Sequence, residues 1–242
     1  KIKYKVTISC MTYNQSKYIT DTMNGFTMQQ TSFPFVCTIV DDASTDGEQD
    51  VIRKYVEENF DFSEASVAFQ KETDYANITY AQHKTNKNCY FAVLYLKENH
   101  YSQRKDKSPY LREWRDGVEY MAFCEGDDYW IAPDKLEKQV HFLDKNEEYG
   151  MCFTANKRLD EDRGITIIDR KTEGDVNFDK LIKGNLIATL TTIFRQEIYN
   201  LYIKEINPIL KNWLLGDYPL WLFIAYNSKI YCNSDITAVY RI

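Results

Sequence analysis

The feature that most constrains the fold of this chain is an alternation of strand-like and helix-like segments near its beginning. Short apolar runs occupy residues 6–11, 35–40 and 66–70. The segments between them, 18–30 and 51–60, carry apolar side chains at the spacing of an amphipathic helix. This order of segments predicts a βαβαβ unit, in which the strands form a parallel sheet. The sequence therefore predicts an α/β fold.

Polar segments follow three of the predicted strands directly. They are residues 12–14, the pair Asp41 and Asp42, and residues 125–128. Ligands of parallel α/β sheets bind beyond the carboxyl ends of the strands. We therefore expect these three segments, although they are far apart in the sequence, to meet along one rim of the sheet and to form a binding site.

The third of these segments is acidic. A predicted buried strand at 120–124 leads into Glu125, Gly126, Asp127 and Asp128. Neighbouring carboxylates repel one another, and a cation is the simplest means of keeping them ionised. Oxygen ligands on a short loop suit Mg²⁺ or Mn²⁺. The alternative is an acidic turn between a strand and a helix, since Asp favours turns; this segment alone leaves both open.

The chain after the acidic segment continues the α/β pattern without an internal repeat or a linker, so we predict a single domain over residues 1–242. The predicted segments are a helix at 134–146, a strand at 150–155, its hairpin partner at 165–168, a helical stretch at 197–226 that includes Leu215, and two short strands at 230–231 and 239–240.

Residues 72–118 are harder to interpret because polar and aromatic residues mix without a clean period. Within them, the apolar run 90–96 is compatible with a strand or a helix, and the charged residues 99–107 predict an exposed loop. A long irregular segment inside a compact domain is usually functional. The segment therefore predicts either a cover over a binding site or a surface insertion.

Composition and charge exclude several functional classes. A net charge of −6 without a cluster of Lys or Arg argues against nucleic acid as a partner. No apolar run reaches the ~20 residues of a membrane-spanning helix, and the opening at Lys1 lacks the pattern of a signal peptide. The three histidines share no zinc-ligand spacing. Six scattered cysteines without a C-x-x-C pair indicate reduced, buried thiols, so we predict a cytoplasmic protein.

Taken together, these motifs resemble those of family 2 glycosyltransferases of the GT-A fold, and more narrowly those of bacterial enzymes that build surface polysaccharides. The resemblance covers nearly the full length, except for residues 72–118. The motifs that carry it are residues 6–14, 39–46, 123–130, 133–136, 193–195, 216–220 and the pair Tyr240 and Arg241.

The resemblance implies a Rossmann-like, nucleotide-binding half at residues 1–130 with a mainly parallel central sheet. A smaller acceptor-side half at 131–242 would abut it. The implied activity is transfer, with inversion, of a sugar from a UDP- or dTDP-linked donor to a hydroxyl of a glycan or lipid-linked acceptor. It implies Mn²⁺ or Mg²⁺ as cofactor, and peripheral association with the inner face of the plasma membrane.

The resemblance also implies roles for residues in the first half of the chain. Asp42 would hydrogen-bond the uracil or thymine base of the donor, Tyr13 would pack on that base, and Met11 would line its pocket. Asp127 would contact the ribose or the donor sugar. Met11 departs from the Pro or Thr that relatives often have there, which leaves the nucleotide preference open. Among the lysines, phosphate contacts stay open between Lys84, Lys87 and Lys105.

The remaining implied roles concern the metal and the chemistry. Asp128 would bind the metal, next to Glu125 in the first acidic position of the motif, and Asp217 would be the general base. An inverting transfer needs a base for the acceptor hydroxyl and a neutralised leaving group, and both are within the chemistry of carboxylates and a divalent cation. From the residues alone, Asp217 is equally an acid at a helix N-terminus, stabilised by the helix dipole.

Two other functions are compatible with part of the pattern. A nucleotidyltransferase would share the fold class and the metal, but it would have a Gly-rich loop after the first strand, where residues 12–15 stand instead. A non-catalytic nucleotide- or glycan-binding relative would have no need to retain Asp42, Asp127, Asp128 and Asp217 together. Cleavage of a nucleotide-sugar distinguishes an enzyme from such a binding module.

Overall fold

The computed structural model describes residues 2–211 and 216–242, and it is an α/β fold, as predicted. Lys1 and residues 212–215 of the predicted helical stretch, Leu215 among them, lie outside the described residues. The strands are β1 Val6–Thr12, β2 Phe35–Asp41, β3 Phe60–Asp61, β4 Phe69–Glu72, β5 Ala76–His83, β6 Cys89–Leu96, β7 Tyr120–Phe123, β8 Tyr129–Trp130, β9 Tyr149–Asp160, β10 Ile165–Asp169, β11 Gly174–Val176, β12 Ile193–Arg195 and β13 Lys229–Arg241. The α-helices are α1 Ile19–Thr27, α2 Glu48–Asn59, α3 Arg112–Arg115, α4 Lys135–Lys145, α5 Phe178–Leu181, α6 Gln196–Ile206 and α7 Asp217–Asn227. Short 3₁₀ turns lie at Ser108–Leu111, Thr189–Thr191 and Pro208–Leu210.

The centre of the sheet is parallel. β1 lies between β2 and β7, and β6 lies on the other side of β2, with parallel pairing at each of these three contacts. Every side chain of β2 and β6 is buried. Strands that are covered on both faces have continuous apolar sequences, and this is why the sequence predicts β1 and β2 correctly.

The third strand of the parallel unit is β6, and the prediction of that strand at residues 66–70 was wrong. β4, which overlaps the end of that segment, is fully exposed and forms an antiparallel edge with β5. β6 instead supplies eight consecutive buried side chains against β2. The order of segments does not separate an edge strand from a core strand, whereas the length of the apolar run does.

A region of mixed parallel and antiparallel pairing extends the sheet beyond β7. β12 pairs with both β7 and β9, and β13 runs parallel to β9. The predicted hairpin is confirmed, since β9 and β10 pair in antiparallel register. The two short strands predicted near the end form one strand, β13, whose register shifts let it bend along β9. One sheet is thus continuous through residues 1–130 and 131–242.

Helices cover both faces of the sheet and enclose two apolar cores. Side chains of α1, α2 and α4 contribute to one core, and side chains of α5, α6 and α7 contribute to the other. Each core contains a fully buried tryptophan, Trp130 in the first and Trp221 in the second. Full burial of an apolar side chain stabilises a fold by about 1.5–3 kcal/mol. The cores therefore fix the strands whose ends carry the polar rim.

Two further expectations concern the thiols and the membrane. All six cysteines are buried free thiols, as predicted. In the part of the chain that the structure describes, no helix combines the length and the apolar character that a bilayer crossing requires.

Candidate functional site

The three polar segments meet at the carboxyl ends of the parallel strands, which confirms the predicted rim. The backbone N–H of Asp42 donates to the carbonyl of Thr12 at 3.0 Å, and that of Gly126 donates to the carbonyl of Met11 at 3.1 Å. The backbone N–H of Thr45 donates to Oδ1 of Asn14 at 2.8 Å. The end of β1 and the residues just after it are thus hydrogen-bonded to the loops that follow β2 and β7.

Glu48 holds together the loops that follow β1 and β2. The sequence analysis did not single it out. Its buried carboxylate accepts the hydroxyl of Thr12, the backbone N–H of Gln15 at 3.0 Å and the hydroxyl of Ser44 at 2.8 Å. Burial raises the pKa of Glu48. In the sequence Glu48 is an ordinary acid in the first turn of α2, and only the pairing of β1 with β2 brings it under Thr12.

Asp42 is 4% exposed and is held by the segment that follows β6. Oδ1 accepts the N–H of His100 at 2.7 Å, while Oδ2 accepts the N–H of Tyr101 at 2.9 Å and the ammonium of Lys107 at 2.7 Å. Burial acts to raise the pKa of Asp42, but Lys107 and the two N–H groups outweigh it and lower the pKa. Asp42 is thus an ionised carboxylate with a cation beside it.

The prediction of an exposed loop at 99–107 is therefore correct only for its middle. Residues 101–106 are exposed, but His100 is buried and both ends of the loop are anchored on Asp42. Lys84 donates to carbonyls at the end of α2, and Lys105 pairs with Glu98. The lysine that reaches the rim is Lys107, which the sequence analysis did not single out, because a lone lysine in a charged loop carries no signal.

The two other positions expected to contact a base also lie at this rim. Met11 is half-buried near the end of β1, and Tyr13, just beyond it, is 46% exposed. The backbone is unusual in the loops that follow β1 and β2, since Asn14 has φ 55° and Ala43 has φ 61°. Left-handed backbone at a residue other than Gly costs about 1–3 kcal/mol and concentrates at functional sites.

The segment between β7 and β8, residues 124–128, brings three carboxylates together and is called the acidic loop. Asp128 is 4% exposed, and burial, together with repulsion from Asp127 and Glu125, raises its pKa to about 8. Burial also raises the pKa of Asp127. Glu125 opens onto solvent, yet the protein around it and repulsion from Asp127 and Asp217 raise its pKa. The acidic side chains of this loop therefore interact electrostatically with one another and with Asp217 at the start of α7.

Arg241 clamps the acidic loop. Its backbone N–H donates to Oδ1 of Asp128 at 2.9 Å, and its guanidinium donates to the backbone carbonyl of Asp127. The guanidinium also pairs with Glu161 and Asp21. The sequence analysis placed Arg241 in a motif without a role, and these contacts give it a structural one.

Asp217 is the first residue of α7, as predicted, and its carboxylate lies near the acidic loop. Oδ1 accepts the N–H of Tyr218 at 2.7 Å, and Oδ2 accepts the hydroxyl of Thr189 at 2.5 Å. Repulsion from Asp217 contributes to the raised pKa of Glu125, which indicates that the two carboxylates are near enough to interact. Thr189 gave no signal in the sequence, where it is one of several hydroxyl residues between 189 and 192.

The acidic residues fit part of a metal site. Within residues 2–211 and 216–242, no group of three or more His, Cys, Asp or Glu side chains is arranged to hold a metal ion. Mg²⁺ in phosphate-handling sites is usually held by one or two carboxylates together with substrate phosphates. Asp128 suits such a site, because the backbone N–H of Arg241 orients one of its oxygens and because Asp127 and Glu125 add negative charge beside it. A cation would bind here with the help of a diphosphate.

Gly126 allows the acidic loop to approach β1 closely, and we predict that Gly126→Ala destabilises the fold. A Cβ at this position would lie 2.2 Å from Oγ1 of Thr12 and 2.5 Å from Oε1 of Gln15. Overpacking of this kind costs about 1–3 kcal/mol, measurable as a fall in the free energy of unfolding in urea. Gly184→Ala is the control, since nothing lies within 4 Å of a Cβ there. Equal stability of the two variants would contradict the prediction.

Comparison with curated proteins finds relatives that are longer than this chain. No family model matches. An uncharacterized protein of Mycobacterium tuberculosis is 29% identical over 239 residues, which are 98% of this chain and 58% of the relative. The Bacillus subtilis protein named "Putative teichuronic acid biosynthesis glycosyltransferase TuaG" is 26% identical over 195 residues, 79% of this chain and 62% of its own length. The chain therefore spans about three fifths of these relatives.

Comparison with solved structures shows the fold. The crystal structure of S. aureus TarS 1–349 in complex with UDP-GlcNAc gives a TM-score of 0.63 at 20% identity, covering 98% of this chain and 58% of that chain. The mannosyltransferase PcManGT from Pyrobaculum calidifontis, in complex with GDP-Man and Mn²⁺, gives 0.57 at 16% identity, covering 98% and 56%. Both structures have the GT-A fold. The predicted GT-A fold is thus confirmed for this chain.

Proposed function

We propose that this chain is the catalytic part of an inverting glycosyltransferase, which moves a sugar from a nucleoside diphosphate donor to a hydroxyl of an acceptor. The observation that carries the proposal is the convergence of Asp42, the acidic loop and Asp217 on one rim of a GT-A sheet. Direct displacement with inversion needs a base and a stabilised leaving group, but no covalent intermediate. Carboxylates for both tasks lie at this rim.

Asp42 and Lys107 support a donor whose base is an imide, such as uracil or thymine. Oδ1 of Asp42 accepts one N–H and has room for another, and the ammonium beside Oδ2 has further N–H groups to donate. An imide presents its ring N–H between two carbonyl oxygens, so the carboxylate can accept that N–H while the ammonium donates to a neighbouring oxygen. Adenine and cytosine also present a donor beside an acceptor, but with the amino group as donor and the ring nitrogen as acceptor, so a comparison of UDP with ADP is needed to distinguish the bases. In this proposal Asp42 accepts the imide N–H, Tyr13 packs on the ring and Met11 lines the pocket.

Replacing Asp42 with alanine is expected to weaken UDP binding by about 1–3 kcal/mol, because the imide N–H and Lys107 would both lose their partner. Isothermal titration of UDP and ADP measures the effect, and the weak ADP affinity should hardly change. Asp50→Ala is the matched control, since Asp50 is an exposed acid in the first turn of α2. A folded Asp42→Ala protein with wild-type UDP affinity would remove Asp42 from base recognition.

The acidic loop is proposed to hold the diphosphate end of the donor. Asp128 would bind Mn²⁺ or Mg²⁺ jointly with the diphosphate, and Asp127 would contact the ribose or the donor sugar. A divalent cation there acts as a Lewis acid that neutralises the leaving nucleoside diphosphate. Arg241 fixes the carboxylate of Asp128 through its backbone N–H, so this ligand is oriented in advance. The Mn²⁺ bound together with GDP-Man in the PcManGT structure supports a divalent cation as the cofactor.

Asp217 is proposed to take the proton from the acceptor hydroxyl. Its two oxygens each accept one hydrogen bond, from Tyr218 and from Thr189, and each keeps a lone pair for the incoming hydroxyl. Its electrostatic influence on Glu125 supports a position of the base close to the acidic loop. Proton removal as the hydroxyl attacks is the task of a general base.

The acceptor and the location belong to the same proposal. We propose a glycan or lipid-linked acceptor in surface polysaccharide synthesis, reached from the cytoplasmic side with peripheral association at the inner face of the plasma membrane. The name of the Bacillus subtilis relative, which refers to teichuronic acid biosynthesis, supports this role. Nucleic acid is not among the proposed partners, in line with the net charge of −6.

A donor screen followed by a turnover assay tests the proposed function. A nucleotide-sugar present at ~100 times its dissociation constant stabilises the protein by about 2.7 kcal/mol, which a thermal shift assay with Mn²⁺ detects. The donor that binds should then be cleaved slowly to nucleoside diphosphate and sugar, and faster with a hydroxyl acceptor. Binding without cleavage under any condition would indicate a binding module. Release of pyrophosphate from a nucleoside triphosphate would indicate a nucleotidyltransferase.

A further inference from the structure

Thr189 and Asp217 are far apart in the sequence and meet at the rim. The hydroxyl of Thr189 donates to Oδ2 of Asp217 at 2.5 Å, and Oδ1 of Asp217 accepts the N–H of Tyr218 at 2.7 Å. Both oxygens of the carboxylate are thereby fixed, one by its own helix and one by a separate element. We infer that Thr189 is the positioning residue for Asp217, an inference that rests on the proposed role of Asp217 as the base.

The turn that carries Thr189 is held by buried side chains of other elements. Thr189 lies in the 3₁₀ turn Thr189–Thr191, and the carbonyl groups of the two residues that follow it accept hydrogen bonds. Nε1 of Trp130 donates to the carbonyl of Leu190 at 2.8 Å, and Nε2 of Gln139 donates to the carbonyl of Thr191 at 3.0 Å. Because Trp130 also ends the acidic loop, this turn fixes the distance between that loop and Asp217.

A holding group is useful because the side chain of Asp217 is only half-buried. Repulsion from Asp217 contributes to the raised pKa of Glu125, so another carboxylate lies near enough to interact. A half-buried carboxylate with another carboxylate nearby can rotate away from it toward solvent. The hydroxyl of Thr189 opposes that rotation, since a hydrogen bond to a charged acceptor is stronger than one between neutral groups. Thr189 therefore keeps the base directed at the acceptor.

Valine is nearly isosteric with threonine and lacks the hydroxyl, so Thr189→Val separates this role from packing. We expect kcat to fall about 10- to 100-fold, the size of a lost hydrogen bond to a charged group. The donor KM should stay near the wild-type value, because Thr189 contacts no donor-binding residue in this scheme. Thr189→Ser retains the hydroxyl and should restore kcat.

A double variant shows whether Thr189 acts through Asp217. If it does, Thr189→Val combined with Asp217→Asn should be no slower than Asp217→Asn alone, because neighbours that share one function are not additive. Wild-type kcat in Thr189→Val, or a further loss in the double variant, would overturn the inference and leave the proposed function standing. Absence of turnover in the wild-type protein with every donor would overturn the proposed function, and the positioning role with it.

Discussion

Asparagine in place of Asp217 is expected to lower kcat by roughly 10²–10⁴-fold, which is the contribution typical of general-base catalysis. The amide keeps the size of the side chain and its oxygen still accepts the N–H of Tyr218, but it cannot take a proton. Donor binding involves other residues of the rim, so the donor KM should change little. Steady-state kinetics with the donor found by screening measure both constants.

The competing interpretation is that Asp217 only stabilises the start of α7. An acid at a helix N-terminus is worth about 0.3–1 kcal/mol, so that role predicts a small loss of stability and near-normal turnover per folded molecule. Asp179→Asn is the matched control, since Asp179 is an exposed acid in the first turn of α5. A folded Asp217→Asn protein with the kcat of the wild type and of this control would exclude Asp217 from the mechanism.

The fold was predictable where a buried apolar run also fits the order of strands and helices; β6 is buried throughout, but it lies within the irregular segment 72–118 and was left open between a strand and a helix. β1, β2 and β7 all satisfy this condition, and each ends in a polar segment, so the rim followed from topology alone. The mistaken strand at 66–70 had neither the length nor the apolar content of β6. The order of strands and helices along the chain predicted a core strand at 66–70. In the structure, β6 with its buried side chains occupies that place in the sheet, whereas the residues of β4 are exposed.

The site was predictable for residues that belong to local motifs, and not for those that act across the fold. Glu48, Lys107 and Thr189 each bind a rim residue that is at least 28 positions away in the sequence. None of these three residues belongs to a local sequence motif from which a contact with so distant a residue could be predicted. Their partners become visible only when the strands are paired, because side-chain hydrogen bonds between distant segments depend on register and loop path.

Asp128→Asn is expected to abolish the effect of Mn²⁺ on UDP binding while leaving the metal-free protein at least as stable as the wild type. Asparagine keeps the acceptor for the backbone N–H of Arg241 and removes the charge that a divalent cation requires. Removal of a residue that only hydrogen-bonds a metal ligand lowers the affinity for the metal ~10–100-fold. Loss of the ligand itself should therefore lower the affinity for Mn²⁺ by at least this factor. Calorimetry of UDP with Mn²⁺ and with EDTA measures the difference.

The stability part of this prediction distinguishes a binding acid from a structural one. Asp128 is buried beside Asp127, and burial raises its pKa to about 8, so an acid here destabilises the metal-free fold at neutral pH. Asp128→Asn should therefore raise the thermal midpoint in EDTA, whereas Asp162→Asn, in an exposed turn, should leave it unchanged. A structural acid would give the opposite result, with a lower midpoint and an intact response to Mn²⁺. The proposed diphosphate site would account for an acid that weakens the metal-free protein at this position.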